Sequence, residues 1–290
     1  MKKIFIVGSI NTDFVISAPY MPASGETLEG NGFFTARGGK GANQAVAAAR
    51  LGGAVKMCGC VGDDLFGTET VKAFEEEGID VSCVRKVEDV PTGTAVIVVV
   101  DGDNRIILDK GANGCLTEGN VDTFLQDAQA GDIYLTQLEN PIDVIGYGLC
   151  KAKEKGLFVI LNPAPANVGI QPYLQYCDLI VPNETELELL GGKEKILAQS
   201  GAKLLVTLGA QGYKIVTENG ERQYPCLQIK AVDTTAAGDT LCGGLAVRLA
   251  AEYSLEEAAA FGSKAATIAC TKKGAQPSIP TKAEVENYQG

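Results

Sequence analysis

The sequence predicts an α/β protein with a doubly wound, mostly parallel sheet and a small second β-sheet. From residue 132 onward, apolar segments of strand length alternate with segments of helical periodicity, as in parallel sheets covered by helices. Two earlier stretches, residues 14–36 and 94–110, lack this alternation and contain β-branched and turn residues instead. We therefore assign residues 1–13, 37–93 and 111–290 to a core and the two stretches to the second sheet. The 290 residues suffice for one large α/β domain or two small ones.

The compact apolar run from Lys3 to Ile10 predicts a buried first strand, which the polar residues Asn11 and Asp13 follow. Ligands of open α/β sheets bind where strands end, at the carboxyl edge. Because the two polar residues are two positions apart, their side chains point to the same side of an extended chain and can bind a polyhydroxyl ligand together. An ordinary loop after a strand is the alternative.

Residues 14–36 contain several Pro and Gly residues and no helical period, which predicts short strands and turns outside the main sheet. Thr94 to Asp101 and Arg105 to Leu108 are predicted to form a hairpin around Gly102-Asp103-Asn104. We expect these segments to pair into the second sheet. Its apolar face needs a cover, either the active-site cleft or a second subunit.

A glycine-rich turn, Gly38-Gly39-Lys40-Gly41, leads into an alanine-rich helix that continues to Gly52. The turn is not a Walker A loop, since Gly41 and not Ser or Thr follows Lys40, and it lacks the dinucleotide fingerprint. Its glycines allow the backbone to approach a compact ligand closely, and Lys40 and Asn43 supply polar contacts. A strand over Ala54–Val61 and a helix over Phe66–Gly78 are expected next.

In the second half of the chain, several predicted strands end in a polar residue. The strands are expected at Ile133–Leu138, Leu157–Leu161, Asp178–Val181 and Lys203–Leu208, with helices at Ile142–Lys155, from Glu184 and at Leu255–Cys270. The polar residues at or near the strand ends are Glu139, Asn162, Asn183 and Thr207. Polar residues at successive strand ends predict a ligand-binding cleft along that edge.

The segment from Asp233 to Thr240 joins a strand-like stretch, Tyr224–Val232, to an apolar helix over Leu241–Ala251. A helix that begins on small residues presents free backbone N–H groups, which together with the helix dipole can hold an anion. Asp239 at that end can take a proton from a hydroxyl while the N–H groups stabilise a transferred phosphoryl group. The alternative is an acidic residue that only stabilises the helix terminus.

Composition excludes several classes of function. A net charge of −11 argues against a nucleic-acid or anionic-membrane partner, which would need a basic face. The absence of histidine excludes histidine-based triads, metal sites and proton shuttles. No apolar run is long enough to span a membrane, and Asn11 and Asp13 shorten the apolar segment that follows Met1-Lys2-Lys3, so we expect a cytoplasmic protein.

The nine cysteines are odd in number and scattered, and the one close pair, Cys58-Gly59-Cys60, lacks the usual zinc or thioredoxin spacing. We therefore expect free thiols, buried among apolar neighbours at positions such as Cys115, Cys150, Cys226 and Cys270.

Five segments, taken together and in this order, resemble the motifs of the PfkB (ribokinase-like) carbohydrate kinases. They are Gly38-Gly39-Lys40-Gly41-Ala42-Asn43-Gln44-Ala45, Asn162-Pro163-Ala164-Pro165, Pro182-Asn183-Glu184-Thr185-Glu186, Asp233-Thr234-Thr235-Ala236-Ala237-Gly238-Asp239-Thr240 and Lys273-Gly274-Ala275-Gln276-Pro277-Ser278. The resemblance implies a ribokinase-like core, a β-sheet lid and phosphorylation of a sugar hydroxyl by ATP, with Mg²⁺ and K⁺. In the ribokinase branch that hydroxyl is O5 of D-ribose, and the lid commonly forms a homodimer.

The resemblance also implies roles for individual residues. Asp239 corresponds to the catalytic base, and the backbone of Ala236, Ala237, Gly238 and Asp239 to the anion hole. Positions that hold the sugar are Asn11, Asp13, Gly39, Lys40, Asn43, Glu139 and Asp239. Positions on the nucleotide side are Asn183, Thr207, Gly209, Gly212, Gly238 and Ser263. A potassium site corresponds to Asp233, Thr235, Ala269, Lys272, Gly274 and Ser278, mostly through backbone carbonyls.

Some positions depart from the broader family pattern, and alternatives stay open. Ala236 stands where the broader family usually has Gly, Leu241-Cys242 replaces a commoner Phe-x pair, and Ser263 replaces a commoner polar or aromatic residue beside the nucleotide. Alternative functions are a sibling kinase of deoxyribose, of another small sugar or of a nucleoside, and a non-catalytic sugar sensor. The polar sugar set favours a small polyol over a nucleoside, and the intact Asp239 argues against a sensor.

Overall fold

Residues 2–289, which the computed structural model describes, form two β-sheets; Met1 and Gly290, the end points of the predicted core, lie outside the described residues. The strands are β1 (Lys3–Val7), β2 (Asn11–Ser17), β3 (Asn31–Gly38), β4 (Ala54–Gly62), β5 (Asp80–Val87), β6 (Gly93–Val100), β7 (Asp103–Asp109), β8 (Ile133–Thr136), β9 (Phe158–Leu161), β10 (Leu179–Ile180), β11 (Lys203–Thr207), β12 (Tyr213–Thr217) and β13 (Gly220–Tyr224).

The main sheet has the order β13-β12-β11-β10-β9-β8-β1-β4-β5. The strands from β11 to β5 are all parallel, and β12 and β13 add an antiparallel edge. Chain order reverses direction across the sheet at β1, which β4 and β8 flank. The predicted fold class, a doubly wound and mostly parallel sheet, is therefore confirmed.

Helices cover both faces of the main sheet. They are α1 (Lys40–Arg50), α2 (Leu65–Glu76), α3 (Glu118–Phe124), α4 (Ile142–Glu154), α5 (Glu184–Leu189), α6 (Lys193–Ser200), α7 (Ala237–Ala250), α8 (Leu255–Ala269) and α9 (Lys282–Asn287). In β1, Ile4 and Ile6 join the core that contains α1, α7 and α8, whereas Phe5 and Val7 join the core that contains α3 and α4. This alternation explains why the first strand is apolar at every central position.

The second sheet has the order β3-β2-β6-β7, with β2 parallel to β6 and both outer pairs antiparallel. The predicted hairpin and its pairing with the earlier segment are both present. The sheet begins at Asn11, three residues before the predicted boundary at residue 14, because the chain needs only Gly8 to Ile10 to pass from β1 into β2. The exact domain bounds stay a prediction.

Other parts of the chain differ from expectation. The stretch from Tyr224 to Val232 is wrongly predicted as a strand: β13 ends at Tyr224, and a largely exposed loop follows. Strands β5, β12 and β13 were not predicted. Cys115, Cys150, Cys226 and Cys270 are free, as expected, but only partly buried. The fully buried thiols are instead those of Cys58, Cys60, Cys177 and Cys242.

Candidate active site

Asp239 lies in the first turn of α7, at the carboxyl edge of the main sheet, and is only 6% exposed. The residue before the helix, Ala236, has a left-handed conformation (φ 60°, ψ 13°), and no side chain caps the helix. The N–H of Ala237 donates to Thr234 O at 3.2 Å. Within the described residues, the N–H groups of Gly238 and Asp239 have no acceptor, so they remain available to an anion.

Two amide side chains from α1 hold the carboxylate of Asp239. Asn43 Nδ2 donates to Oδ2 and Gln44 Nε2 donates to Oδ1, each at 3.0 Å. Both residues are buried, and Asn43 Oδ1 has no partner among the described residues. The carboxylate is thus held in one orientation, and a free amide oxygen lies beside it.

The start of α1 depends on a glycine at position 39. Gly39 has φ 90°, and a Cβ there would lie 2.8 Å from Asn11 N and from Ser9 O. Both the backbone angle and the space therefore require glycine. The turn delivers the N–H of Lys40 to Glu139 Oε2 at 3.1 Å, and the Ser9 hydroxyl donates to the same oxygen.

Asn11 and Asp13 lie on β2 and belong to the second sheet. Asn113, in the turn after β7, fixes this region: its Oδ1 accepts from Ile10 N–H at 2.8 Å, and its Nδ2 donates to Asn11 Oδ1 at 2.7 Å. Asn113 was not predicted, and its position in a short turn gives no sequence signal. Asp13, two residues after Asn11, lies close enough to Glu139 for the two carboxylates to interact.

Asp13 is an unusual carboxylate for a surface sheet. Burial, together with the nearby Glu139 carboxylate, raises the pKa of Asp13 from 3.8 to about 6. No hydrogen bond to its carboxylate is recorded in the described part of the chain. The side chain packs against Gly38, where a Cβ would lie 2.3 Å from Asp13 Oδ2. Asp13 is therefore a desolvated acceptor without a protein donor.

A polar cavity of about 280 Å³ lies in front of α7. Its lining includes Lys40, Asn183, Glu186, Thr207 and the turn from Ala236 to Asp239. Burial lowers the pKa of Lys40, but the Asp239, Glu139 and Glu186 carboxylates outweigh this effect and raise it. Burial likewise raises the pKa of Glu186. The lining of this cavity therefore contains one cationic side chain, Lys40, and two carboxylates, Glu186 and Asp239.

A second cavity, of about 250 Å³, adjoins the first and shares Thr207, Thr234, Ala237 and Gly238 with it. The predicted nucleotide residues Thr207, Gly209, Gly212, Gly238 and Ser263 all line it. Its other walls are mostly apolar and include Leu227 and Ile229 of the loop that was wrongly predicted as a strand. Asn183 lies in the first cavity, where its side chain caps α5 by accepting from Glu186 N–H at 2.8 Å.

The predicted cation residues come together in part. Asp233 Oδ1 accepts from Thr235 N–H at 2.9 Å, and Oδ2 accepts from Gly274 N–H at 2.8 Å. Burial raises the pKa of Asp233, but these hydrogen bonds outweigh that effect and lower it. The remaining predicted residues are close in sequence to Gly274 and form local bonds: Lys272 N–H donates to Ala269 O at 3.0 Å, and Ser278 Oγ to Ala275 O at 2.8 Å.

Carbonyl oxygens beside an ionised Asp233 are the hard ligands that potassium prefers. The carbonyls of Thr235, Lys272 and Gly274 accept no hydrogen bond from the described residues, so the residues present fit such an ion. No group of three or more acidic or cysteine side chains in residues 2–289 could hold a metal by itself. Across the same residues, none of the helices combines the length and the apolar composition that crossing a membrane requires.

Gln44, Glu186 and Asn113 have no role among the expectations from the sequence. Gln44 and Glu186 lie inside segments that carry the family resemblance, so a signal was present for both. Gln44 contacts Asp239 directly, and Glu186 lines the same cavity. Asn162, noted only as a strand-end residue, accepts from Gln44 Nε2 at 3.1 Å and connects α1 to β9.

Comparison with known proteins adds a family assignment. The model of the pfkB family carbohydrate kinases matches residues 1–282. The ribokinase of Haemophilus influenzae is 43% identical over 99% of this chain and 98% of that protein. The deoxyribokinase of Salmonella typhimurium is 35% identical, with 98% of each chain covered.

Solved structures agree with the sequence matches. The ribokinase of Thermotoga maritima has a TM-score of 0.87 and 36% identity, covering 99% of this chain and 98% of that one. The Arabidopsis thaliana ribokinase, solved in complex with ribose and ATP, has a TM-score of 0.87 and 30% identity, covering 98% and 97%.

Proposed function

This chain belongs to the pfkB family of carbohydrate kinases, and we propose that within the family it transfers the γ-phosphoryl group of ATP to O5 of D-ribose. The observation that carries the proposal is the position of Asp239. Its buried carboxylate is held by two amide groups and lies in the same helical turn as the unpartnered N–H groups of Gly238 and Asp239. A proton acceptor beside an anion site suits phosphoryl transfer to an alcohol.

The two adjoining cavities suggest how the substrates lie. We place the nucleoside of ATP in the apolar cavity beside Gly209, Gly212 and Ser263, and its phosphates across Gly238 toward the polar cavity. Lys40 supplies a positive charge there. The backbone N–H groups of α7 then stabilise the charge on the transferred group.

The sugar is proposed to bind between β2 and the start of α1. Asn11, Asp13 and Glu139 supply acceptors for the sugar hydroxyls. Asp13, desolvated and without a protein donor, has the character of a group that accepts from a ligand hydroxyl. Asp239 then removes the proton from the hydroxyl that receives phosphorus.

Two metal ions are proposed. Mg²⁺, when bound with ATP, neutralises phosphate charge; it usually takes one or two carboxylates together with phosphate oxygens and water, and Glu186 is a suitable carboxylate in the cavity. Asp233, with the carbonyls of Thr235, Ala269, Lys272, Gly274 and Ser278, would hold K⁺. Gly274 donates to Asp233, which lies in the segment that precedes α7, so bound K⁺ would stabilise the anion site at the start of that helix.

The second sheet is proposed to act as a lid over the sugar and as the contact of a homodimer. Its outer face exposes large apolar side chains, among them Phe33 (62% exposed) and Ile107 (71% exposed). Such a face on one subunit is suited to cover by another copy. We also propose a cytoplasmic location, which the free thiols support. A monomer at micromolar concentration in sedimentation experiments would contradict the dimer.

A substrate panel tests the proposal. ADP release is measured with ribose, 2-deoxyribose, fructose and adenosine, and ribose should give the highest kcat/KM. The deoxyribokinase relative makes 2-deoxyribose the second candidate. Preference for adenosine would refute the sugar assignment, and binding of ribose without ADP release from any substrate would indicate a sensor.

The role of Asp239 is tested by Asp239→Asn. Ribose binding should persist while turnover falls about 10²- to 10⁴-fold, the usual contribution of a general base. Asp143→Asn is the matched control, because Asp143 is also an acidic residue in the first turn of a helix, α4. Undiminished turnover of Asp239→Asn would leave only the helix-stabilising role.

A further inference from the structure

Behind Asp239 lies a chain of buried amide side chains. Gln137 Nε2 donates to Gln44 Oε1 at 2.5 Å. Gln44 Nε2 donates in turn to Asp239 Oδ1 at 3.0 Å and to Asn162 Oδ1 at 3.1 Å. Gln44 and Gln137 are at most 1% exposed. The chain therefore connects the carboxylate to the end of β8 without solvent contact.

The direction of this chain follows from the chemistry of its end group. An ionised carboxylate only accepts hydrogen bonds, so Gln44 must turn its NH₂ group toward Asp239. Its Oε1 then faces Gln137, which must also present NH₂. As a result, Gln137 Oε1 is buried without a partner among the described residues. An unsatisfied buried carbonyl is costly, which indicates that the orientation at Asp239 is imposed on the whole chain.

We propose that Gln44 and Gln137 are positioning residues for Asp239, an inference that rests on the proposed role of Asp239 as base. Gln44 holds Oδ1, while Asn43 holds Oδ2 from the other side. Gln137 acts only through Gln44, by donating to its Oε1 and so holding the amide in place against the carboxylate. The carboxylate then points its remaining lone pairs at the sugar hydroxyl, and misplacement by about 1 Å can cost about 10²-fold in rate.

The test measures the rate of a single turnover of phosphoryl transfer and, separately, the Kd for ribose. Gln44→Met should transfer about 10- to 100-fold more slowly, because Oδ1 loses its donor, and should bind ribose within about twofold of wild type. Gln44→Glu has the same shape but places a second carboxyl group against Asp239, so it should be slower still. Gln175→Met removes an exposed amide elsewhere and is the control.

Gln137 is tested through its coupling to Gln44. Gln137→Met should slow transfer about 3- to 10-fold, because Gln44 Oε1 loses its donor and the amide is held less firmly against Asp239. Gln44→Met combined with Gln137→Met should be no more than about twofold slower than Gln44→Met alone, since residue 137 then has no amide to hold. A purely structural role predicts additive losses instead.

The outcomes separate this inference from the proposed function. A wild-type enzyme without activity on any sugar refutes the proposed function. An active wild type with Gln44→Met at full rate, or a Gln44→Met loss that lies entirely in the Kd for ribose, overturns the positioning role. If Gln44→Met fails to fold in urea-unfolding measurements, Gln137→Met decides, and transfer at the wild-type rate overturns the proposal.

Discussion

Replacement of Asp13 by Asn should stabilise the protein while weakening the sugar site. Asp13 is half-buried on β2, near the Glu139 carboxylate, and its pKa is raised from 3.8 to about 6. Each pKa unit corresponds to about 1.4 kcal/mol, so the ionised side chain costs the folded state about 3 kcal/mol at pH 8. Asn keeps the shape of the side chain without its charge.

The pH dependence of this effect has a defined sign. Because the folded state binds the Asp13 proton more tightly than the unfolded chain, the contribution of Asp13 to stability is lost as pH rises from about 4 through about 6. The free energy of unfolding of Asp13→Asn should therefore exceed that of wild type by about 3 kcal/mol at pH 8 and by about half of that at pH 5.

The assay is urea unfolding of both proteins at the two pH values, combined with titration calorimetry of ribose. The exposed Asp103, at the start of β7, provides the control variant Asp103→Asn, which should change neither quantity. Ribose affinity of Asp13→Asn should fall about 10- to 100-fold with the loss of a charged acceptor. A stability difference that is the same at pH 5 and pH 8, or a less stable variant, would refute the reasoning.

Three further predictions concern the residues around Asp233, the glycine at position 38 and the alanine at position 236. Turnover should be higher in potassium than in sodium chloride at equal ionic strength, and equal rates would contradict the proposed potassium site around Asp233. Gly38→Ala should weaken ribose binding at least about 10-fold, because its Cβ would displace the Asp13 carboxylate; unchanged calorimetric affinity would count against that contact. Ala236→Gly should leave the urea midpoint unchanged or raise it, because an alanine in the left-handed conformation costs about 1 kcal/mol. Ala237→Gly, inside α7, should lower the midpoint. A lower midpoint for Ala236→Gly than for Ala237→Gly would contradict the strain at position 236.

The sequence predicted the regular parts of the fold because their periodicity is set by burial. β1 is apolar at consecutive central positions since helices pack on both of its faces, and α1 begins at the glycine turn as expected. The loop after Tyr224 was mistaken for a strand for a related reason. Its apolar residues Leu227 and Ile229 line a cavity and do not pair in a sheet. The hydrophobic pattern alone does not distinguish a buried strand from an apolar loop of this kind.

The candidate site was predicted where polar residues follow strands, and less well where contacts join distant segments. Gln44 and Gln137 are 93 positions apart in the chain, and only the topology of α1 against β8 brings them together. Asn113 bonds to Ile10 and Asn11 across 103 and 102 positions. Such contacts depend on sheet order, which no local pattern encodes.

The membership of Asn11 and Asp13 in β2 has a consequence for how a sugar is used. Glu139 follows β8 of the main sheet, so a pentose bonded to both groups would cross-link the two sheets. Part of the binding free energy of the pentose would then hold the second sheet over the site instead of lowering the dissociation constant. A short alcohol that bonds to only one of the two sheets would leave the site open to solvent. Selectivity between the two alcohols would therefore appear in the rate of transfer more than in the dissociation constant.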